Sequence, residues 1–235
     1  MKNKNFNILN VDPSEDLEQE NNLKNKENYF HLKIPIGNLD SAIEIIKIIK
    51  EKFTNKKIIS IVNCSRVRAT ESDDILINNN NVIDNINSQL TGINNLINLL
   101  VNENNIRNFS IIHIGSLSSR LVNQQSVLYH YLKGAIEVAS KALAFKLGKY
   151  NIRSNVIVCG LVKDPNFELS DKQKKIEKKV VPLLSGPPTT EDITNLILFF
   201  ISKDSRAITG SSLVIDAGMS LPDSYTLLSN LNEFN

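Results

Sequence analysis

No stretch narrows the possible folds of this chain more than Ser110 to Tyr150. It opens on a short continuous apolar run, Ser110-Ile111-Ile112-His113-Ile114, which reads as a buried strand ending at Gly115. A polar loop carrying Ser116, Ser118 and Ser119 follows. From Ser126 the apolar residues recur at helical spacing, and Gly148 marks the stop. Similar alternation precedes it. Phe6 to Val11 is a short β-prone run ending at Asp12-Pro13, and Ser14 can cap the acidic, polar segment EDLEQENNLKNKE that follows. Phe30 to Ile36 reads as a second strand, Asn38-Leu39-Asp40-Ser41 opens the amphipathic helix AIEIIKIIKEKF, and Lys57 to Asn63 is a third strand. Near-continuous apolar strands alternating with helices predict an α/β fold, with a doubly wound and mostly parallel sheet covered on both faces.

Tyr129 and Lys133 stand four residues apart on the helix that follows Ser126, so both side chains share one face. An ammonium beside a phenol favours the phenolate, which makes Tyr129 a candidate general acid or base. Ser116 lies thirteen residues upstream, at the mouth of the strand, where its hydroxyl can hold a carbonyl oxygen.

The chain has 235 residues, enough for one core and short for two, and it reads as a single domain over 1–235 with an extension from 222. A net charge of +2 does not point to nucleic acid. Cys64 and Cys159 sit in apolar strand contexts and read as buried thiols of a reducing compartment. His31, His113 and His130 are scattered, and no metal-ligand spacing occurs. Neither an apolar leader core at the N-terminus nor a run near the length of a membrane span is present, so the expectation is a cytoplasmic protein without a membrane partner.

A strand ending in Gly-Ser, thirteen residues, then Tyr-x-x-x-Lys resembles the signature of the short-chain dehydrogenase/reductase family. The resemblance extends to Asn151-Ile152-Arg153-Ser154-Asn155-Val156-Ile157-Val158-Cys159-Gly160, similar to the family's I-R-V-N-x-V-x-P-G strand and turn. It also covers Pro187 to Leu221, with a helix, I-T-G, and a strand closing in Asp216-Ala217-Gly218-Met219. It spans about residues 30 to 221 and is closest to the 3-oxoacyl-carrier-protein reductase type. It implies a Rossmann-like fold and carbonyl reduction with NAD(P), with Ser116, Tyr129 and Lys133 as catalytic residues. Gln89 stands at the family's fourth catalytic position, where the family has Asn. Asn63, Lys133 and Gly160 fall at positions that bind cofactor.

The chain departs from that pattern in a consistent direction. Family members open with a strand and a glycine-rich turn that admits the dinucleotide phosphates. Here the first glycine is Gly37, and no G-x-G occurs in the sequence. Phe6 to Asp12 matches either the family's first or its second strand, with one β-α unit missing; in the second case Asp12 falls where the adenosine ribose is read. Because a gap at the first strand would leave unpaired ladders in the core, Phe6–Val11 is expected to lie centrally, beside Lys57–Asn63. N-N-A-G appears as Asn63-Cys64-Ser65-Arg66, the Thr that binds the nicotinamide amide as Asp164, and the Pro of P-G as Cys159.

These departures, taken with the resemblance, imply a ketoreductase-like subunit. It would have lost independent NAD(P) binding and would assemble as a homo- or hetero-oligomer with a relative. A stand-alone 3-oxoacyl reductase with an altered cofactor site and a non-catalytic scaffolding protein stay open as alternatives. Helices from about Ile93 to Val101 and from Val127 to Leu147 match those that pair between subunits in the family. The basic run Lys172, Lys174, Lys175, Lys178 and Lys179 could meet an acyl-carrier protein, and the apolar tail after Leu221 could dock on a neighbouring subunit.

Overall fold

A computed structural model describes residues 6–14, 28–65, 79–123, 125–163, 184 and 186–223. The chain divides into two compact units. One comprises Met1–Ile58 and Ser65–Arg107, the other Ile59–Cys64 and Asn108–Asn235.

In the first unit, β1 (Ile8–Val11) pairs in parallel with β2 (Tyr29–Leu32), Ile8 opposite Tyr29 and Val11 opposite Leu32. This corrects two expectations. The partner of β1 is β2, while Lys57–Asn63 contributes its strand to a different sheet. The second strand also stops at Leu32 rather than Ile36, because the Ile34 N–H turns back to the Leu32 carbonyl (3.0 Å) and Pro35 has no N–H to offer a ladder.

Helix α1 (Leu39–Lys52) begins where the Asn38 carboxamide accepts the Ser41 N–H at 2.9 Å, and it buries Ser41, Ala42, Ile45 and Ile46 on one face. A second helical stretch runs through α2 (Asn79–Ile86), a π-helical turn Asn87–Thr91, α3 (Gly92–Asn98) and a further π-helical turn Leu99–Glu103. It begins well before Ile93, since the polar run Asn79–Asn81 is helical too. Gly92 lets α3 approach the Gly37 turn. A Cβ there would lie 2.8 Å from the Gly37 nitrogen and 2.9 Å from the Ile36 carbonyl carbon.

The second unit is a four-stranded parallel sheet, ordered β3 (Ser60–Asn63), β4 (Ser110–Ser116), β5 (Arg153–Cys159) and β6 (Ser212–Ile215). Helix α4 (Val127–Leu147) is capped by the Ser126 hydroxyl on the Tyr129 N–H, and α5 (Thr190–Ile201) by a reciprocal Thr189–Asp192 box. Gly148 does not itself turn α4 away. A short 3₁₀ turn follows, and Asn151 in the left-handed region (φ 57°) redirects the chain into β5.

Successive β5 side chains alternate between faces. Ser154 meets Ser140 of α4 (Oγ to Oγ, 2.8 Å), while Ile157 and Cys159 pack with Ile112 and Phe200 of α5. The sheet is thus covered on both sides. Its central strands are almost wholly buried, which explains why their sequences lack polar alternation. Among the described residues no helix is long and apolar enough to cross a membrane. No cluster of His, Cys, Asp or Glu suited to a metal ion occurs among them either.

Candidate active site

Ser116 closes β4, and its register partner is Cys159 at the end of β5. Its Oγ accepts the Ser118 N–H (3.2 Å) and donates to the Ser118 hydroxyl (3.3 Å), capping a 3₁₀ turn over Leu117–Ser119. Across from this loop stands the first half of α4. Tyr129 is half-buried. Lys133 is 4% exposed, and its Nζ donates to the Ile114 carbonyl at 3.1 Å and lies 5.6 Å from the centroid of the Tyr129 ring. A buried ammonium needs such a carbonyl, since desolvation disfavours its charge unless it is hydrogen-bonded.

The field of that ammonium reaches three neighbours. Burial first, and the Lys133 charge second, lower the pKa of His113 from 6.5 to about 4. Burial raises the Cys159 thiol to about 11 and raises Cys64 as well, while Lys133 pulls both the other way. Cys159 is buried as expected, but Cys64, just past the end of β3, keeps an exposed side, which corrects the reading of two buried thiols. Neither thiol has the lowered pKa of a nucleophile.

Asn63 is buried opposite His113, its Nδ2 3.3 Å from the imidazole Nδ1. Gly160 follows β5, and its N–H donates to the Ile215 carbonyl at 3.0 Å. Gln89 belongs to the first unit. It is buried within the π-helical turn Asn87–Thr91, and its Nε2 donates to Asn85 Oδ1 (3.3 Å) one turn earlier. Arg66, Asp164, Lys172 to Lys179 and the tail beyond Asp223 lie outside the described residues.

Several site groups escape a motif search. Glu137 accepts both Ser119 Oγ and Arg120, whose Nη2 approaches to 2.8 Å and whose Nε lies at 3.3 Å. Burial pushes its carboxyl up, but the hydrogen bonds from Arg120, Ser119 and Ser212 and the Arg120 charge prevail, holding it at about 2. His130 reaches the Ser118 carbonyl from Nδ1 at 2.6 Å. With Lys133, these residues form a polar stripe at helical spacing, 130, 133 and 137, and that spacing was the signal available in the sequence.

The fit of a nicotinamide dinucleotide can be tested on these residues. Lys133, Asn63 and Tyr129 suit the nicotinamide end by type. Gly160 does not keep an open cradle, because a Cβ there would lie 2.6 Å from the Cβ of Asp216 and 3.3 Å from the methyl of Met219; the glycine is required by internal packing. At the end of β1 both the Ser14 N–H (2.8 Å) and its hydroxyl donate to Asp12 Oδ1. The sequence offers no G-x-G turn for the pyrophosphate.

A parallel sheet with helices on both faces defines a Rossmann-like α/β fold. A family model described as enoyl-(acyl carrier protein) reductase matches residues 7–220, and the chain belongs to the short-chain dehydrogenase/reductase family. It is 30% identical over 116 residues to a 7α-hydroxysteroid dehydrogenase of Bacteroides fragilis, covering 48% of this chain and 44% of the relative. It is 31% identical over 139 residues to a 3-oxoacyl-[acyl-carrier-protein] reductase of Rickettsia bellii, covering 56% and 57%. The chain thus spans about half the length of the curated relatives it matches. Among solved structures, a short-chain dehydrogenase family protein from Francisella tularensis superposes with a TM-score of 0.75 at 24% identity, over 94% of this chain and 91% of that one. A 4-hydroxyisoleucine dehydrogenase complexed with NADH does so with a TM-score of 0.74 at 20% identity, over 93% and 89%. At these identities the likeness establishes the fold.

Proposed function

We propose that this chain is a ketoreductase-like subunit for 3-oxoacyl or similar carbonyl substrates, and that it handles the proton while an intact relative, assembled with it, holds the nicotinamide. The observation that carries this reading is the buried Lys133 ammonium, fixed on the Ile114 carbonyl and set against the Tyr129 ring. Reducing a carbonyl adds a hydride to carbon and a proton to oxygen. In this reading the Tyr129 hydroxyl gives its proton to the substrate oxygen, Lys133 stabilises the phenolate left behind, and the Ser116 hydroxyl donates to the same oxygen. The hydride originates outside this chain, in keeping with the lack of a G-x-G turn in the sequence.

Assembly is supported by the outer face of α4. Tyr131, Val138 and Phe145 recur every seven residues there and are 64%, 68% and 89% exposed, an apolar stripe that a lone helix would not leave in water. The carbonyl class is supported by relatives named as hydroxysteroid, carbonyl and 3-oxoacyl reductases. A second reading, a stand-alone NAD(P)-dependent reductase with an altered cofactor site, is supported by similar structures complexed with NADH or NADPH.

Titrating the purified chain with NADH and NADPH, by calorimetry or nicotinamide fluorescence, separates the two. No saturation up to millimolar, with a glycine-loop relative co-purifying from the native source, is the expected result. Saturable micromolar binding overturns the dependent-subunit reading in favour of the second. In the reconstituted complex, Tyr129→Phe is expected to lower carbonyl reduction by about 100-fold or more. An unchanged rate would reduce the chain to a scaffold.

A further inference from the structure

His130 follows the tyrosine directly, yet its ring turns away from solvent chemistry and onto the loop that begins at Ser116. A backbone carbonyl only accepts, so the 2.6 Å approach of Nδ1 to the Ser118 carbonyl fixes a proton on Nδ1. Nε2 lies 3.4 Å from the Asn123 carbonyl and donates there only when the ring is doubly protonated, so the Nδ1 bond is the constant one. The two carbonyls belong to residues that also hold each other, since Asn123 Nδ2 donates to Ser118 Oγ at 2.9 Å. Ser118 in turn supplies the N–H and the hydroxyl that orient Ser116 Oγ. A chain of hydrogen bonds therefore runs from the imidazole through Ser118 to the serine hydroxyl. One helix turn further on, Glu137 holds the same loop through Ser119 and Arg120. That second hold is carried by a charged pair. The first rests on a single imidazole N–H.

We propose that His130 is a positioning residue, which pins the Ser116–Asn123 loop to α4 and so sets the direction of the Ser116 hydroxyl. The proposal rests on the reading of Ser116 as the group that holds a substrate oxygen. Nothing in Tyr-x-x-x-Lys requires a histidine at the second position; here the ring is recruited because its Nδ1 reaches the Ser118 carbonyl from the first turn of α4. The hydroxyl holds the oxygen as charge develops on it, so misdirecting the hydroxyl lowers turnover more than substrate binding.

The test uses the full chain with three variants, His130→Ala, His130→Asn and His130→Gln. Asparagine places an amide N–H near the position of Nδ1, and glutamine places one near Nε2. Hydrogen exchange of the amides from 117 to 123 reads the pinning without any substrate. His130→Ala is expected to speed that exchange at least tenfold, leaving β4 and β5 amides unchanged, and His130→Asn to restore it while His130→Gln does not. In the reconstituted complex, kcat is expected to fall by about 10-fold to 100-fold in His130→Ala with KM little changed, again rescued by Asn. Unchanged exchange in His130→Ala overturns the pinning. Faster exchange with unchanged kcat overturns the positioning role. Wild-type protein inactive in every combination, with the exchange effect present, sinks the reductase reading and His130's part in that reaction, while the pinning itself stands.

Discussion

The two units bury their strands to different depths. In the second, the seven-residue strands β4 and β5 are almost entirely enclosed between α4 and α5. In the first, β1 and β2 have four residues each, and every one is half-buried or exposed. A two-stranded ribbon cannot exclude water from a side chain as a doubly covered sheet does. The difference shows in the charged groups. Lys133 is buried, and the imidazole of His113 is lowered by burial first and by the Lys133 charge second, whereas Asp12 at the end of β1 is only half-buried, with Ser14 as partner. Depth of burial, more than the choice of residue, decides where a side chain acquires unusual chemistry.

The sharpest way to break this comparison is to truncate one phenylalanine in each unit. Phe200 is fully buried in the α5-facing core, and Phe200→Ala is expected to cost about 3–5 kcal/mol in urea unfolding. Phe30, half-buried on β2 with the Lys52 ammonium 5.7 Å from its ring, should cost about half as much. Equal losses would mean that the first unit is as tightly built as the second.

A smaller effect is expected from pH. His113 has its pKa lowered from 6.5 to about 4 in the folded chain, so the unfolded chain binds the proton first as pH falls. Stability is fully present above pH 6.5 and declines toward pH 4, by about 2–3 kcal/mol. His113→Gln should remove that part of the slope, and a slope that survives the substitution would place its source elsewhere.

In the first unit the corresponding weak point is steric. Gly92→Ala forces a methyl against the Gly37 and Ile36 backbone, and it should destabilise by about 1–3 kcal/mol, read as a lower urea midpoint with unchanged m-value. The smallest expected change is a gain. Ala217 adopts φ 55°, in the left-handed region, so Ala217→Gly should raise stability by about 1 kcal/mol. A loss there would mean that the methyl packs well enough to offset its strain.

The second unit was largely legible in the sequence. The run Ser110–Ile114, the serine loop and the helix from Ser126 rest on local patterns and the β5 strand on the family resemblance, and each element stands close to where these put it. The first unit was less so. Phe6–Val11 is short and apolar enough to join any sheet, and choosing its partner is a long-range decision that composition does not encode; it paired with β2. The candidate site was legible only as residue types at a fixed spacing. Ser116, Tyr129 and Lys133 follow from spacing. His130 and Glu137 share the helical spacing of Lys133, but neither their partners nor those of His113 can be read from it, because a polar side chain reads alike in sequence whether it faces solvent, a carbonyl or a buried lysine.

What the sequence determined by itself is therefore the order of strand, loop and helix around Ser116, and the shared face of Tyr129 and Lys133. Both depend on periodicities of a few residues. Only the tertiary structure decided that the Lys133 ammonium anchors on the Ile114 carbonyl and that His130 and Glu137 hold the serine loop. Those outcomes require segments distant in sequence to exclude water together, and desolvation has no local signature.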